Sequence, residues 1–130
     1  MKTLTLKYKK SGKQAIFEAL KSGFDGETLV EKDVLYFEDL DTMFNFMTGS
    51  RARIIQAIQE KKPHSIYELA KILDLNQSYV LKEFKFLEQL GVLSGKNEEL
   101  SGRKTIRPIA NYDHIVIDWE VLPKKSVSSF

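Results

Sequence analysis

Two helical stripes of apolar residues, separated by a short break, run through residues 64–93, HSIYELAKILDLNQSYVLKEFKFLEQLGVL. Ile66, Leu69, Ala70 and Leu73 recur at intervals of three and four, the spacing of one helical face. Asp74-Leu75-Asn76 then interrupts the pattern with two turn-prone residues around a Leu of buried type. Val80, Phe84, Leu87 and Leu90 resume it, again stepping by three and four. Gly91 stands where a helix end takes a left-handed residue, and Val92-Leu93 begins something extended. The pattern predicts a helix-turn-helix whose second helix leads into a β-hairpin.

The same reading extends upstream. In LDTMFNFMTG the residues Leu40, Met43, Phe44 and Met47 form an apolar stripe, expected to be core or dimer contact, with Asp39 or Asp41 as cap and Gly49 as stop. Ser50 is then expected to cap RARIIQAIQEKKP, a helix with Ile54, Ile55 and Ile58 inward and Pro63 at its close. Ser65, with Glu68 three residues on, has the spacing of a capping box. Downstream, SGKNEELSGRKTIRPIA reads as two Gly-bounded polar turns followed by a strand through Thr105-Ile106. Pro108 puts that strand at an edge or ends it.

Both ends of the chain read as β-rich. Residues 2–8 alternate Thr3 and Thr5 with Leu4, Leu6 and Tyr8, a half-buried strand. KQAIFEALKSG carries Ala15, Ile16, Ala19 and Leu20 on one helical face, and extended segments follow around Leu29-Val30 and Val34–Phe37. Tyr112 to Val121 is strongly β. The strands at 2–8, 33–38 and 113–121 are expected to combine into one sheet, which dimerises the molecule or recruits a partner. The expected fold class is α+β. Residues 1–38 form an N-terminal β-α-β extension, 39–110 a winged helix-turn-helix domain, 111–122 a strand packing on the extension or at a dimer interface, and 123–130 a frayed polar tail.

Composition narrows the function more than the fold. The chain has 130 residues, 42% hydrophobic and 29% charged, an ordinary globular balance. With no cysteine there is no disulfide framework or thiolate chemistry, and no apolar run reaches the ~18 residues of a membrane span, so a soluble cytoplasmic protein is expected. The net charge of +2 is unevenly spread. Six lysines against Glu18 make residues 1–24 +5; Lys32 against seven acids makes 25–49 −6; eleven bases against seven acids make 50–112 +4. The predicted helix-turn-helix therefore lies in a basic segment, as phosphate binding requires.

Its residues also suit DNA. A helix-turn-helix of that kind needs a small residue in the first helix, a turn that tolerates an unusual dihedral, and a β-branched anchor early in the second; Ala70, Asp74 and Val80 fill those places. With Asn76 as N-cap, the residues Gln77, Ser78 and Tyr79 form the first turn of the second helix, the end that enters the major groove. Asn76 and Gln77 can pair with adenine edges, and Tyr79 or Lys82 can reach a base or a phosphate. Phosphate contacts are expected from Arg51 and Arg53, from Ser65 at a helix N-terminus, and from Lys85, Lys96, Arg103 and Lys104 on the second helix and the hairpin.

Residues 44–93 resemble the winged helix-turn-helix proteins of the MarR/ArsR type. The likeness is carried by R-x-x-I-I-x-A-I at 51–58, S-I-Y-E-L-A-K-I-L at 65–73 and S-Y-V-L-K-E-F-K-F-L-E-Q-L-G-V-L at 78–93. R-P-x-x-x-Y-D-x-I-x-I-D at 107–118 further resembles small stand-alone prokaryotic DNA-binding proteins, some of them antitoxin-like regulators. The resemblance implies a homodimer on palindromic double-stranded DNA. Gln77, Ser78, Tyr79 and Lys82 would read bases, and Arg103 and Lys104 would grip the flank from the wing. Two features depart from that pattern: Leu81 and Phe86 stand where the helix is normally polar, and Glu83 places an acid near the DNA face, where Lys82 or Arg53 is the expected neutralising partner.

No catalytic site is expected. His64 and His114 lack a second ligand at metal spacing, and no nucleophile motif, P-loop or dinucleotide fingerprint occurs. Neither a metal nor a cofactor is implied. The expected function is a sequence-specific DNA-binding transcriptional regulator, a repressor or the antitoxin-like member of a toxin–antitoxin pair. The alternative is a winged-helix module that contacts protein and not DNA.

Overall fold

In a computed structural model, residues 2–8 and 28–119 are described, and they form an α+β protein. The expected helix over 13–23, the residues after Trp119 and the tail 123–130 lie outside them. Contacts divide the chain into two compact units, residues 3–46 with 115–130, and residues 1–2 with 47–114.

The first unit is built on a four-stranded sheet ordered β2-β3-β1-β6, from β1 (Thr3–Tyr8), β2 (Thr28–Glu31), β3 (Val34–Phe37) and β6 (His114–Asp118). Strands from 2–8, 33–38 and 113–121 thus share one sheet. β2 and β3 are an antiparallel hairpin turned by Lys32-Asp33, with Asp33 at φ 62, a left-handed value that Asp tolerates. β1 runs parallel to β3, Leu6 facing Leu35 and Tyr8 facing Phe37. Leu4, Leu6, Leu35 and Phe37 are buried, while Thr3, Thr5, Val34 and Tyr36 are half-buried, as period-two alternation dictates.

A short helix, α1 (Leu40–Phe46), packs on β1 and β3 and is therefore part of the sheet unit, although the sequence reading opens the second domain at residue 39. Asp39 caps it, accepting from the Thr42 N–H at 3.2 Å. Its inward face differs from the expected stripe: Met43 and Phe46 are buried and Phe44 is exposed. Phe46 meets Phe37 at 5.5 Å between ring centroids.

The second unit has three helices and a hairpin: α2 (Gly49–Lys61), α3 (Ile66–Leu73), α4 (Gln77–Gln89), β4 (Leu93–Leu100) and β5 (Arg103–Ala110). Thr48, and not Ser50, caps α2, its hydroxyl accepting from the Arg51 N–H; Gly49 begins this helix and does not merely end α1. Lys62 closes α2 in the left-handed region at φ 48. Ile54, Ile55 and Ile58 from α2, Ile66, Leu69 and Ala70 from α3, and Val80, Phe84 and Leu87 from α4 are buried with Leu90, Val92 and Leu93. α2 and α4 bury the stripes their periodicity announces, and α3 buries all of its stripe but Leu73, which is half-buried.

The hairpin departs from the sequence reading in one respect. Gly95 lies within β4, opposite Pro108 in β5, and makes no turn. The single turn is Ser101-Gly102, both at positive φ (53 and 81), as a two-residue type I′ loop requires. β5 continues through Pro108 to Ala110, and Pro108 is accommodated because a two-stranded sheet is all edge. Gly95 serves packing. A Cβ added there would lie 2.8 Å from Ile106 Cγ2 and 3.2 Å from Phe84 Cζ. Gly95→Val is therefore expected to destabilise the fold by about 1–3 kcal/mol through overpacking. A urea titration checks this; an unchanged midpoint would mean that the hairpin shifts freely on α4.

Candidate nucleic-acid interface

The turn between α3 and α4 is made by backbone geometry that two residues supply. Asp74 ends α3 at φ 55 and ψ 46, and the Leu75 N–H donates to the Ala70 carbonyl at 3.0 Å. Ala70 is buried at that close approach. Asn76, in extended conformation, opens α4, its Oδ1 accepting from Ser78 N–H at 2.8 Å and Tyr79 N–H at 3.3 Å. The Asn76 oxygen is thus engaged in capping. Of the expected base readers, Gln77, Ser78 and Lys82 are exposed without that commitment.

On the outer side of α4, Ser78, Lys82 and Lys85 follow one another at four and three, and all are exposed. Tyr79 is exposed as well, but its hydroxyl is engaged, donating to Glu83 Oε1 at 3.4 Å. Glu83 itself is buried and pairs with Arg51, Nε to Oε1 at 3.2 Å and Nη2 to Oε2 at 3.4 Å. The Arg51 guanidinium also lies over the Phe86 ring, 4.6 Å from its centroid. Two expectations change. Glu83 is neutralised by Arg51 and not by Lys82 or Arg53, and Arg51 is drawn inward, leaving Arg53 as the exposed arginine of α2. Phe86, out of place on a reading helix, is the platform under Arg51. Leu81 is half-buried.

The remaining residues separate into groups. Ser65 is buried and its hydroxyl accepts from the Glu68 N–H at 3.0 Å, so the side chain caps α3. Arg103 and Lys104 follow the hairpin turn and are exposed; being adjacent in a strand, they point to opposite faces. Lys96 pairs across the hairpin with Arg107, four residue steps from Leu100 at the tip, or roughly 13 Å. It lines a different groove of about 690 Å³ with Ile58, Gln59, Lys62 and Arg107. Lys96 is thus remote from the tip basic pair.

Two residues that the sequence reading leaves out join the interface. Tyr67 and Lys71 line a cleft of about 320 Å³ with Ala70, Asp74, Leu75 and Gln77, directly beside the start of α4. Lys71 Nζ sits 5.5 Å over the Tyr67 ring. Their signal is an aromatic and a base four apart on the outer face of α3, an arrangement easily taken for ordinary helix surface.

One unit of helices packed with a two-stranded hairpin and another built on a mixed sheet place the chain among α+β proteins. More specifically, it belongs to the HVO_A0114 family, whose model matches residues 46–117. That span takes in α2, α3, α4, the hairpin and most of β6. No curated protein and no solved structure matches the chain. Among the described residues, no group of three or more His, Cys, Asp or Glu is placed to hold a metal ion, and no helix is long and apolar enough to cross a membrane.

Proposed function

We propose that residues 47–114 are a winged helix-turn-helix that binds double-stranded DNA, and that the protein is a transcriptional regulator acting in the cytoplasm by occupying an operator. One observation carries this reading. The Asn76-capped end of α4 presents Gln77 and Ser78 to solvent, beside Tyr67 and Lys71, with Lys82 and Lys85 along the same helix and Arg103 and Lys104 at the hairpin tip. Hydrogen-bonding side chains at a helix start, flanked by cations, fit base edges and phosphates respectively. The Arg51–Glu83 pair supports the reading, because it neutralises the acid that the sequence places near the DNA face of α4.

The test is a mobility shift with DNA from upstream of the protein's own gene, at two salt concentrations. Binding that weakens steeply with salt is expected, since each neutralised phosphate releases counterions. Gln77→Ala should relax sequence preference, and Arg103→Ala should weaken all sequences alike and lower the salt slope by about one. Absence of any salt-sensitive shift would overturn the proposal. A second reading, a winged-helix module contacting a protein such as a toxin, draws on Tyr67, Ile72 and Leu100. These exposed apolar side chains line a groove of about 510 Å³. Under that reading, Ile72→Glu abolishes capture of the cognate protein and no DNA is bound.

A further inference from the structure

We infer that β6 is a self-association surface, through which two copies of the chain join by antiparallel pairing of β6 with β6 about a two-fold axis at Val116. The inference stands apart from the DNA reading.

Among the described residues β6 is the outer strand of its sheet, with β1 on one side only. Lys2 bonds Asp113, and Lys7 Nζ meets Asp118 Oδ2 at 3.8 Å, so β6 follows β1 in the same direction. Parallel strands are ordinarily covered on both faces. β6 is not: Val116 is 46% exposed and Ile117, on the opposite face, 48%. Trp119, 42% exposed, extends the Ile117 side and meets Phe44 edge-on at 5.3 Å. Natural edge strands are usually protected from pairing by proline, by bulges or by charges in mid-strand. His-Ile-Val-Ile-Asp carries neither a proline nor a charge in mid-strand; its polar residues stand at its two ends.

The sequence of the strand selects its partner. Antiparallel pairing centred on Val116 sets Val116 against itself, Ile115 against Ile117, and His114 against Asp118. Directly opposed residues share a face. One face of the joint would therefore hold a valine pair between two His–Asp pairs, and the other would hold two Ile–Ile pairs. Apolar meets apolar at every central position, and at the ends an imidazole N–H donor meets a carboxylate acceptor. A parallel joint would instead set His114 on His114 and Asp118 on Asp118. The interface is isologous, as a closed dimer requires.

The chain contains no cysteine, so single cysteines report the register directly. Light scattering of the full chain is expected to give twice 15.0 kDa. Val116→Cys should cross-link to itself under mild oxidation far faster than Ile109→Cys, another exposed strand position, on β5. Ile115→Cys and Ile117→Cys should cross-link well when mixed and poorly alone. Val116→Lys should be monomeric with an unchanged circular dichroism spectrum. A monomeric wild-type chain, or Val116→Cys cross-linking no faster than Ile109→Cys, would overturn the proposal. Neither outcome depends on DNA, so the two readings fail separately.

Discussion

Phe84→Ala is expected to lower stability by about 3–5 kcal/mol, the largest loss of any single truncation in the helical unit. Phe84 lies on the inner face of α4, 1% exposed, where it meets the hairpin at Gly95. Val80 and Leu87, one turn to either side, are fully buried too, so little can collapse into the space left behind. In a unit of this size the loss corresponds to a fall in melting temperature on the order of 15 °C or more. Thermal and urea unfolding followed by far-UV circular dichroism measure it. The control is Phe44→Ala, which removes an exposed ring that touches Trp119 edge-on, expected to cost about 1 kcal/mol or less. Equal losses from the two variants would mean that the burial assigned to α4 is wrong.

That contrast also shows how far periodicity reaches. Ile66, Leu69, Ala70, Val80, Phe84 and Leu87 were legible because α3 and α4 bury one stripe each against neighbours that follow immediately in the chain. In α1 the rule selected Leu40, Met43, Phe44 and Met47, yet Met43 and Phe46 are the residues buried. A helix of seven residues offers fewer than two turns, and its orientation is set by β1 and β3, not by its own pattern. Gly95 marks a similar limit. A glycine among Ser, Lys and Asn reads as a turn residue, and only the closeness of Ile106 and Phe84 reveals that it serves packing. The real turn, Ser101-Gly102, was visible because a two-residue loop with positive φ at both positions favours this chemistry.

For the candidate interface, what the sequence conveyed was local. Asn76 as cap, Asp74 in the left-handed region and Gln77-Ser78 at the helix start all follow from residues within one turn of each other. The placement of Lys96 depends on how the hairpin lies against α2, and no spacing rule supplies that; Tyr67 and Lys71 show only a four-residue spacing that an ordinary helix surface shares.

Arg51→Ala is expected to cost about 2–4 kcal/mol, more than a surface arginine contributes, because it leaves the Glu83 carboxylate without its guanidinium partner in a site where the two side chains are only 19% and 11% exposed. Glu83→Ala should cost a similar amount. The double variant should lose less than the sum, by about 1–3 kcal/mol, since each single change leaves the other charge stranded. Phe86→Leu should shrink that coupling by removing the ring beneath the guanidinium. Additive losses in the urea-denaturation cycle would sink the idea. Arg51 lies 32 residues from Glu83 and Arg53 lies 30, so sequence separation does not choose between the two arginines; the fold does. The position of the pair also separates stability from binding. If Arg51 is tied to Glu83, Arg51→Ala should lower the melting temperature while leaving the salt slope of DNA binding nearly unchanged. Lys82→Ala should do the reverse, because an exposed lysine on α4 holds nothing together and its only large contribution would be to a phosphate. A salt slope reduced by about one in Arg51→Ala would instead place Arg51 on the DNA backbone and release Glu83 to face it.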